Sequence, residues 1–116
     1  ERHGHCLELT QDGRILAFGG MSIDEKGHPN YHRDIRSLDI ETMVWSSPRT
    51  SGITVDPRFQ MTSTMLGKYM VLFGGFIYRD ARKMANLKVS DGVGQRIAKP
   101  TTGDHIVAFD TEELEW

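Results

Sequence analysis

Arg14-Ile15-Leu16-Ala17-Phe18-Gly19-Gly20 recurs later in the chain as Lys68-Tyr69-Met70-Val71-Leu72-Phe73-Gly74-Gly75. Each stretch is a basic residue, a short apolar run and two glycines. An apolar run of this length, closed by turn residues, predicts a strand covered on both faces. The glycines lack Cβ atoms, so a neighbouring backbone or ring can approach the end of that strand closely. A repeat of this kind has to be recognised before any element is assigned, because it sets the whole architecture.

The repeat extends in both directions. Downstream, Leu38-Asp39-Ile40-Glu41-Thr42-Met43-Val44-Trp45 is matched by Phe109-Asp110-Thr111-Glu112-Glu113-Leu114-Glu115-Trp116, with Trp six residues after Asp in both copies. An Asp at the start of such a turn can accept hydrogen bonds from backbone N–H groups two residues on. The Trp is large enough to fill the space between adjacent sheets. Upstream lie two further extended stretches, residues 4–9 and 59–65. Gln11-Asp12-Gly13 and Leu66-Gly67-Lys68 supply the turns that follow them. Each copy thus predicts four short strands: 5–9, 15–18, 35–39 and one carrying Trp45, then a strand before Leu66, 69–73, 106–109 and one entered at Trp116. Residues 79–87 are the best stretch for a local helix, with good helix formers but no clear apolar face.

Composition agrees with a folded, soluble chain: 38% hydrophobic and 26% charged residues in 116, net charge −2. No apolar run approaches the roughly 18–20 residues needed to span a bilayer as a helix, and no basic start with an apolar stretch marks a signal peptide. Starting at Glu1 without methionine, the chain reads as a segment of something longer. Its single cysteine, Cys6, cannot form an internal disulfide. That favours a reducing compartment, cytoplasm or nucleus.

These residues resemble the kelch repeat: an extended strand opening near Arg or Gly-His, an apolar strand ending in Gly-Gly, then Asp with Trp six residues later. The pattern stands as Arg2, Gly4-His5, Gly19, Gly20, Asp39 and Trp45, then as Arg58, Gly74, Gly75, Asp110 and Trp116. No Trp-Asp dipeptide of the WD40 type is present. The second copy departs in two ways: it opens on Phe59-Gln60-Met61, and it is longer between its double glycine and its Trp. The resemblance implies an all-β fold, a β-propeller fragment of two four-stranded antiparallel kelch blades. Repeat 1 would cover residues 1–46, an inter-blade loop 47–57, and repeat 2 residues 58–116 with a long insertion at about 76–104. Two blades cannot close a ring, so the remaining blades of a parent propeller are expected partners.

Function is read from the loops. In an up-and-down blade the first and third loops (A–B and C–D) share one face, and the second (B–C) shares the other with the connection to the next blade (D–A). The long connections, 21–34, 46–57 and 76–104, all belong to the second group, and long loops on a rigid scaffold carry binding. The 76–104 insertion has six basic residues against three acidic. This balance points to an acidic or phosphorylated protein partner, although the same charges would also keep a long loop hydrated. Candidate partner-binding residues are His28, Tyr31, Arg33, Arg79, Arg82, Lys83 and Arg96. Kelch resemblance implies a protein-protein interaction scaffold, as in ubiquitin-ligase substrate receptors, actin-associated proteins and ciliary or signalling scaffolds.

The alternative is a fragment of a metal-dependent kelch-propeller oxidase, whose Tyr and His ligands lie near the ring axis. Tyr31, Tyr69 and Tyr78 are available, as are the pairs His3/His5 and His28/His32, but no three or four converging ligands can be recognised. No nucleophile elbow, phosphate loop or dinucleotide fingerprint is present. The expectation is no enzyme activity, no metal and no cofactor. The basic insertion lacks interleaved aromatics, which argues against nucleic acid.

Overall fold

The computed structural model describes residues 1–80, 96–100 and 106–116. Among them there is no helix, and twelve strands form four antiparallel sheets. Arg14 to Phe18 and Tyr69 to Phe73 are strands, as their apolar runs predict, and each sits between two others. In the first sheet the order is β1 (Cys6–Leu9), β2 (Arg14–Phe18), β5 (Ile35–Asp39) and β6 (Val44–Ser46). In the second, β8 (Thr62–Leu66) pairs with β9 (Tyr69–Phe73), which pairs with β12 (Val107–Asp110). Beyond β12 the chain turns back to bridge Glu115 to Asp110, the start of a fourth strand that reaches only Trp116. The chain thus forms two antiparallel sheets side by side, as expected of two propeller blades.

Alternation along the strands gives each sheet two faces. In the first sheet Cys6 stands opposite Phe18 and Phe18 opposite Ile35, while Glu8 is opposite Leu16 and Leu16 opposite Ser37. This row faces the second sheet, whose own row is Ser63–Leu72–Val107 and Met65–Met70–Phe109. Phe18, Leu16, Met70, Leu72 and Phe109 are fully buried and form one core with Cys6, Ile35, Val55 and Met61. Burying each such large side chain contributes roughly 1.5–3 kcal/mol, so the joint between blades is the main apolar centre. β1 lies against β8 across the joint, and the Ser63 hydroxyl donates to the Glu8 carboxylate there.

Two connections expected as loops are strand hairpins. β3 (Met21–Ile23) pairs with β4 (Pro29–Tyr31). Asp24 shapes their turn: its Oδ1 accepts the backbone N–H groups of Lys26 and His28 at 2.9 and 2.8 Å. The 76–104 insertion contains β10 (Phe76–Asp80) and β11 (Arg96–Pro100), and β10 also pairs with β7 (Arg58–Phe59). The helix expected over 79–87 is therefore corrected at its start, since Arg79 and Asp80 belong to β10. The rest of that stretch lies outside the described residues. Pairing of β10 to β7 and β11 outweighs a helix propensity unsupported by an apolar face.

Candidate functional site

The two hairpins meet at the glycine-pair end of the blades, whereas the 47–57 connection runs along the second sheet, where Ser51 bridges Glu115. The strand opening each repeat is broken in two by a residue with positive φ, Gly4 (65°) in the first and Gln60 (54°) in the second. The piece before the break joins the hairpin layer: His3 bridges Met21, and Phe59 pairs with Phe76. The piece after it enters the blade. Backbone bonds stitch the two repeats together, Gly20 N–H to Arg58 O at 2.8 Å and Gln60 N–H to Gly4 O at 2.7 Å. Gly19 explains why a Cβ is excluded. One placed there would stand 2.5 Å from the Arg58 carbonyl oxygen and 2.8 Å from Met61 Cε, on a backbone with φ +69°.

On this end three rings form a row. Tyr31 lies 5.6 Å from Phe59, and Phe59 lies 5.7 Å from Phe76. All three are half-buried. Beside the row, Arg2 donates to both oxygens of Asp34, at 2.9 and 3.1 Å, and to Gly19 O at 3.2 Å. Burial works to raise the Asp34 carboxyl, but the bonds from Arg2 outweigh it and hold the group below its ordinary range. The His32 Nε2 and Ser22 hydroxyl are 2.8 Å apart. Burial, followed by the charge of Arg2, lowers the His32 pKa, with Asp34 opposing. The counterpart of Arg2 in the second repeat, Arg58, is 4% exposed, and its Nε and Nη1 meet no acceptor among the described residues.

Two open cavities flank this end. The larger, about 580 Å³, is bounded by Arg2, His5, Ala17, Ser22, His32, Arg36 and Trp45. The smaller, about 210 Å³, lies between Arg33, the 50–55 segment and Trp116.

The expected site residues are distributed as follows. His28 is exposed on the β3–β4 turn, its Nδ1 3.4 Å from Asp24 Oδ2. Tyr31 belongs to the ring row, and Arg33 is exposed at the smaller cavity. Arg79 and Arg96 lie on paired strands, Arg79 opposite Ile97 and Arg96 opposite Asp80. Arg82 and Lys83 fall outside the described residues. Phe59 and Phe76 were missed by the sequence reading. Their signal was the aromatic at the start of each extended stretch beside the double glycine, which pairing across β7 and β10 turns into a row.

The motif residues serve the scaffold. Asp39 Oδ1 accepts the N–H groups of Glu41 and Thr42 at 2.9 and 3.0 Å, and Asp110 Oδ1 accepts those of Glu112 and Glu113 at 3.0 and 3.1 Å. Trp116 packs edge-on to Phe18, with centroids 4.7 Å apart, and 4.8 Å from Phe109. Among the described residues no three His, Cys, Asp or Glu side chains group so as to hold a metal ion. Tyr31 and Tyr69 lie at opposite ends of the blades, on the β4 hairpin and at the start of β9. Cys6 is buried, its thiol pushed up chiefly by that burial.

No protein-family model matches the chain. It is 36% identical over 80 residues to Host cell factor 1 of Rattus norvegicus, covering 66% of this chain and 4% of that protein. It is 40% identical over 63 residues to Host cell factor of Drosophila melanogaster, covering 54% of this chain and 4% of that protein. Kelch domain-containing protein 3 of Rattus norvegicus is 35% identical over 75 residues, 65% of this chain and 18% of its own length. The chain therefore spans a small part of the curated relatives it matches.

Proposed function

The chain is a pair of kelch repeats, and on that premise we propose that it is part of a protein-interaction scaffold that presents its glycine-pair end to another protein. The observation that carries this reading is the meeting of both hairpins with β7 on one end, where Tyr31, Phe59 and Phe76 form a row of half-buried rings. Aromatic and arginine side chains held on rigid strands are the residues that most often anchor a partner. Arg33 is exposed beside that row, and the basic residues of the insertion add to an end suited to an acidic or phosphorylated protein. Residues 1–46 and 58–116 are the two repeats in this reading and 47–57 their connection. The parent protein supplies the remaining blades, and its place of action is the cytoplasm or nucleus. No catalytic step is assigned to these residues.

The test uses the full-length protein. Proteins that copurify with it are quantified for the wild type, for Tyr31→Ala with Arg33→Glu, and for Glu41→Lys with Thr42→Lys on the opposite, short-turn end. The proposal expects the first pair to deplete a defined set of partners at least about tenfold, the loss of one hot-spot anchor, and the second pair to leave that set intact. Equal retention in both variants would overturn it.

A further inference from the structure

Ser47 and Pro48 form the one Ser-Pro or Thr-Pro dipeptide of the chain, whose other prolines follow His28, Asp56 and Lys99. They stand just beyond β6, the edge strand of the first sheet, where the connection to the second repeat begins. Proline carries no N–H and pushes the residue before it toward extended backbone. Residues 47–50 are accordingly neither strand nor turn, and none of them joins a backbone–backbone hydrogen bond among the described residues. Ser47 is also exposed. An exposed, extended stretch free of the sheet can be lifted into the groove of a protein kinase, and proline-directed kinases accept serine where proline follows it. Ser46 lacks these features: it is paired with Ser37 in β6, its hydroxyl donates to Ser37 O at 3.3 Å, and serine follows it.

The Ser47 hydroxyl accepts a hydrogen bond from Arg36 Nη1 at 2.8 Å. Arg36 is exposed on β5 and forms no ion pair among the described residues, whereas Arg2 is held by Asp34 and Arg14 by Asp12. It also lines the open cavity of about 580 Å³ together with Arg2 and His32, and Glu1 is the one acid in that lining. The guanidinium therefore meets a neutral acceptor in surroundings that are mostly basic. A phosphoryl group on the same oxygen carries three acceptor oxygens and close to two negative charges. A planar guanidinium can engage two such oxygens at once.

We propose that Ser47 is a phosphorylation site for a proline-directed protein kinase, and that Arg36 receives the phosphate. In this step Ser47 Oγ attacks the γ-phosphorus of ATP. The Oγ–P bond forms as the bond to the β,γ-bridging oxygen breaks, ADP leaves, and the hydroxyl proton passes to a carboxylate of the kinase. A charge-assisted pair then replaces the neutral hydrogen bond between β5 and the start of the 47–57 connection. Phosphorylation thus fastens the segment that joins the two repeats to the first sheet, whichever end of the blades meets a partner.

The test uses the natively folded full-length protein, treated in turn with a cyclin-dependent and a mitogen-activated kinase in the presence of Mg²⁺ and ATP. Mass spectrometry is expected to place phosphate on Ser47, to find it absent from Ser47→Ala and Pro48→Ala, and to find it retained in Arg36→Gln. Phosphorylation should raise the Tm of the wild type by at least about 2 °C and leave that of Arg36→Gln where it was. By ³¹P NMR the second ionisation of the phosphoserine should lie lower in the folded wild type than in the unfolded chain, because a neighbouring cation favours the dianion. Arg36→Gln should remove that difference. No phosphate on Ser47 with either kinase, or phosphate there only after heat denaturation, overturns the site. Phosphate on Ser47 with a Tm and an ionisation that are the same in wild type and Arg36→Gln overturns the pairing.

Discussion

Trp45 and Trp116 occupy the same place in the repeat and live in different surroundings. Trp116 is wedged between Phe18 and Phe109, whereas Trp45 is 46% exposed beside a cavity. Phe18 and Phe73 differ in the same sense, one fully buried and the other 37% exposed. The lesson is that a repeat motif specifies a half-joint. Each blade brings a Trp on one face and a Phe on the other, and burial depends on which neighbour is there to meet it.

The comparison breaks most sharply if truncating the two phenylalanines proves equivalent. In this chain Phe18→Ala should cost about 3–5 kcal/mol of unfolding free energy and Phe73→Ala about 1 kcal/mol, measured by urea denaturation. Glycines give the next contrast. Gly19→Ala combines a positive φ with a collision against the Arg58 carbonyl and should cost about 2–5 kcal/mol. Gly67→Ala shares the positive φ but meets nothing within 4 Å, so about 1 kcal/mol is expected.

A smaller effect separates the two Asp-to-Trp turns. Met43 and Leu114 hold equivalent left-handed positions, φ 57° and 55°. Met43 is 69% exposed, so Met43→Asn should stabilise by about 0.5 kcal/mol, because Asn tolerates this conformation. Leu114 packs on the core, and Leu114→Asn should instead destabilise by about 1–2 kcal/mol.

The smallest contrast is electrostatic. Asp110 is held below its ordinary value of 3.8 first by the hydrogen bond from Lys68, whose Nζ lies 2.7 Å away, and then by the turn N–H groups; Asp39 relies on its turn N–H groups, those of Thr42 and then Glu41, before any cation. Both carboxylates thus contribute stability that is complete above the unfolded-state value and is lost as pH falls through the lower folded one. Carboxyl titration by NMR should show Lys68→Ala moving Asp110 upward while Asp39 stays put.

Much of the fold was legible because its signals are local. Runs such as Ile15 to Phe18 and the fixed Asp-to-Trp spacing declare strands and turns without reference to the rest of the chain. The two hairpins were not legible. Met21 to Ile23 and Pro29 to Tyr31 are only three residues each, too short for a period to show. β10 finds its place through Arg58 and Phe59, partners distant in sequence. Gln60 is the clearest case of tertiary context prevailing: it takes the left-handed conformation that Gly4 adopts freely, because Gln60 N–H bonds Gly4 O at that point. Of the candidate site, Tyr31 was visible as an aromatic in a long connection, but its ring partners Phe59 and Phe76 required the pairing of β7 with β10. Arg82 and Lys83 lie outside the described residues, and the place of Arg33 at the smaller cavity depends on the 50–55 segment beside it.

The Phe18–Trp116 contact has one further consequence. Because each unit offers a ring on its leading side and a slot on its trailing side, the series has a direction, like bricks with a stud and a socket. Copying one such stretch of gene in tandem would give the new unit a matching neighbour on both sides at once. A lineage built on this contact can lengthen by duplication without inventing a new interface, and its copies are then free to diverge along the ends where the hairpins lie.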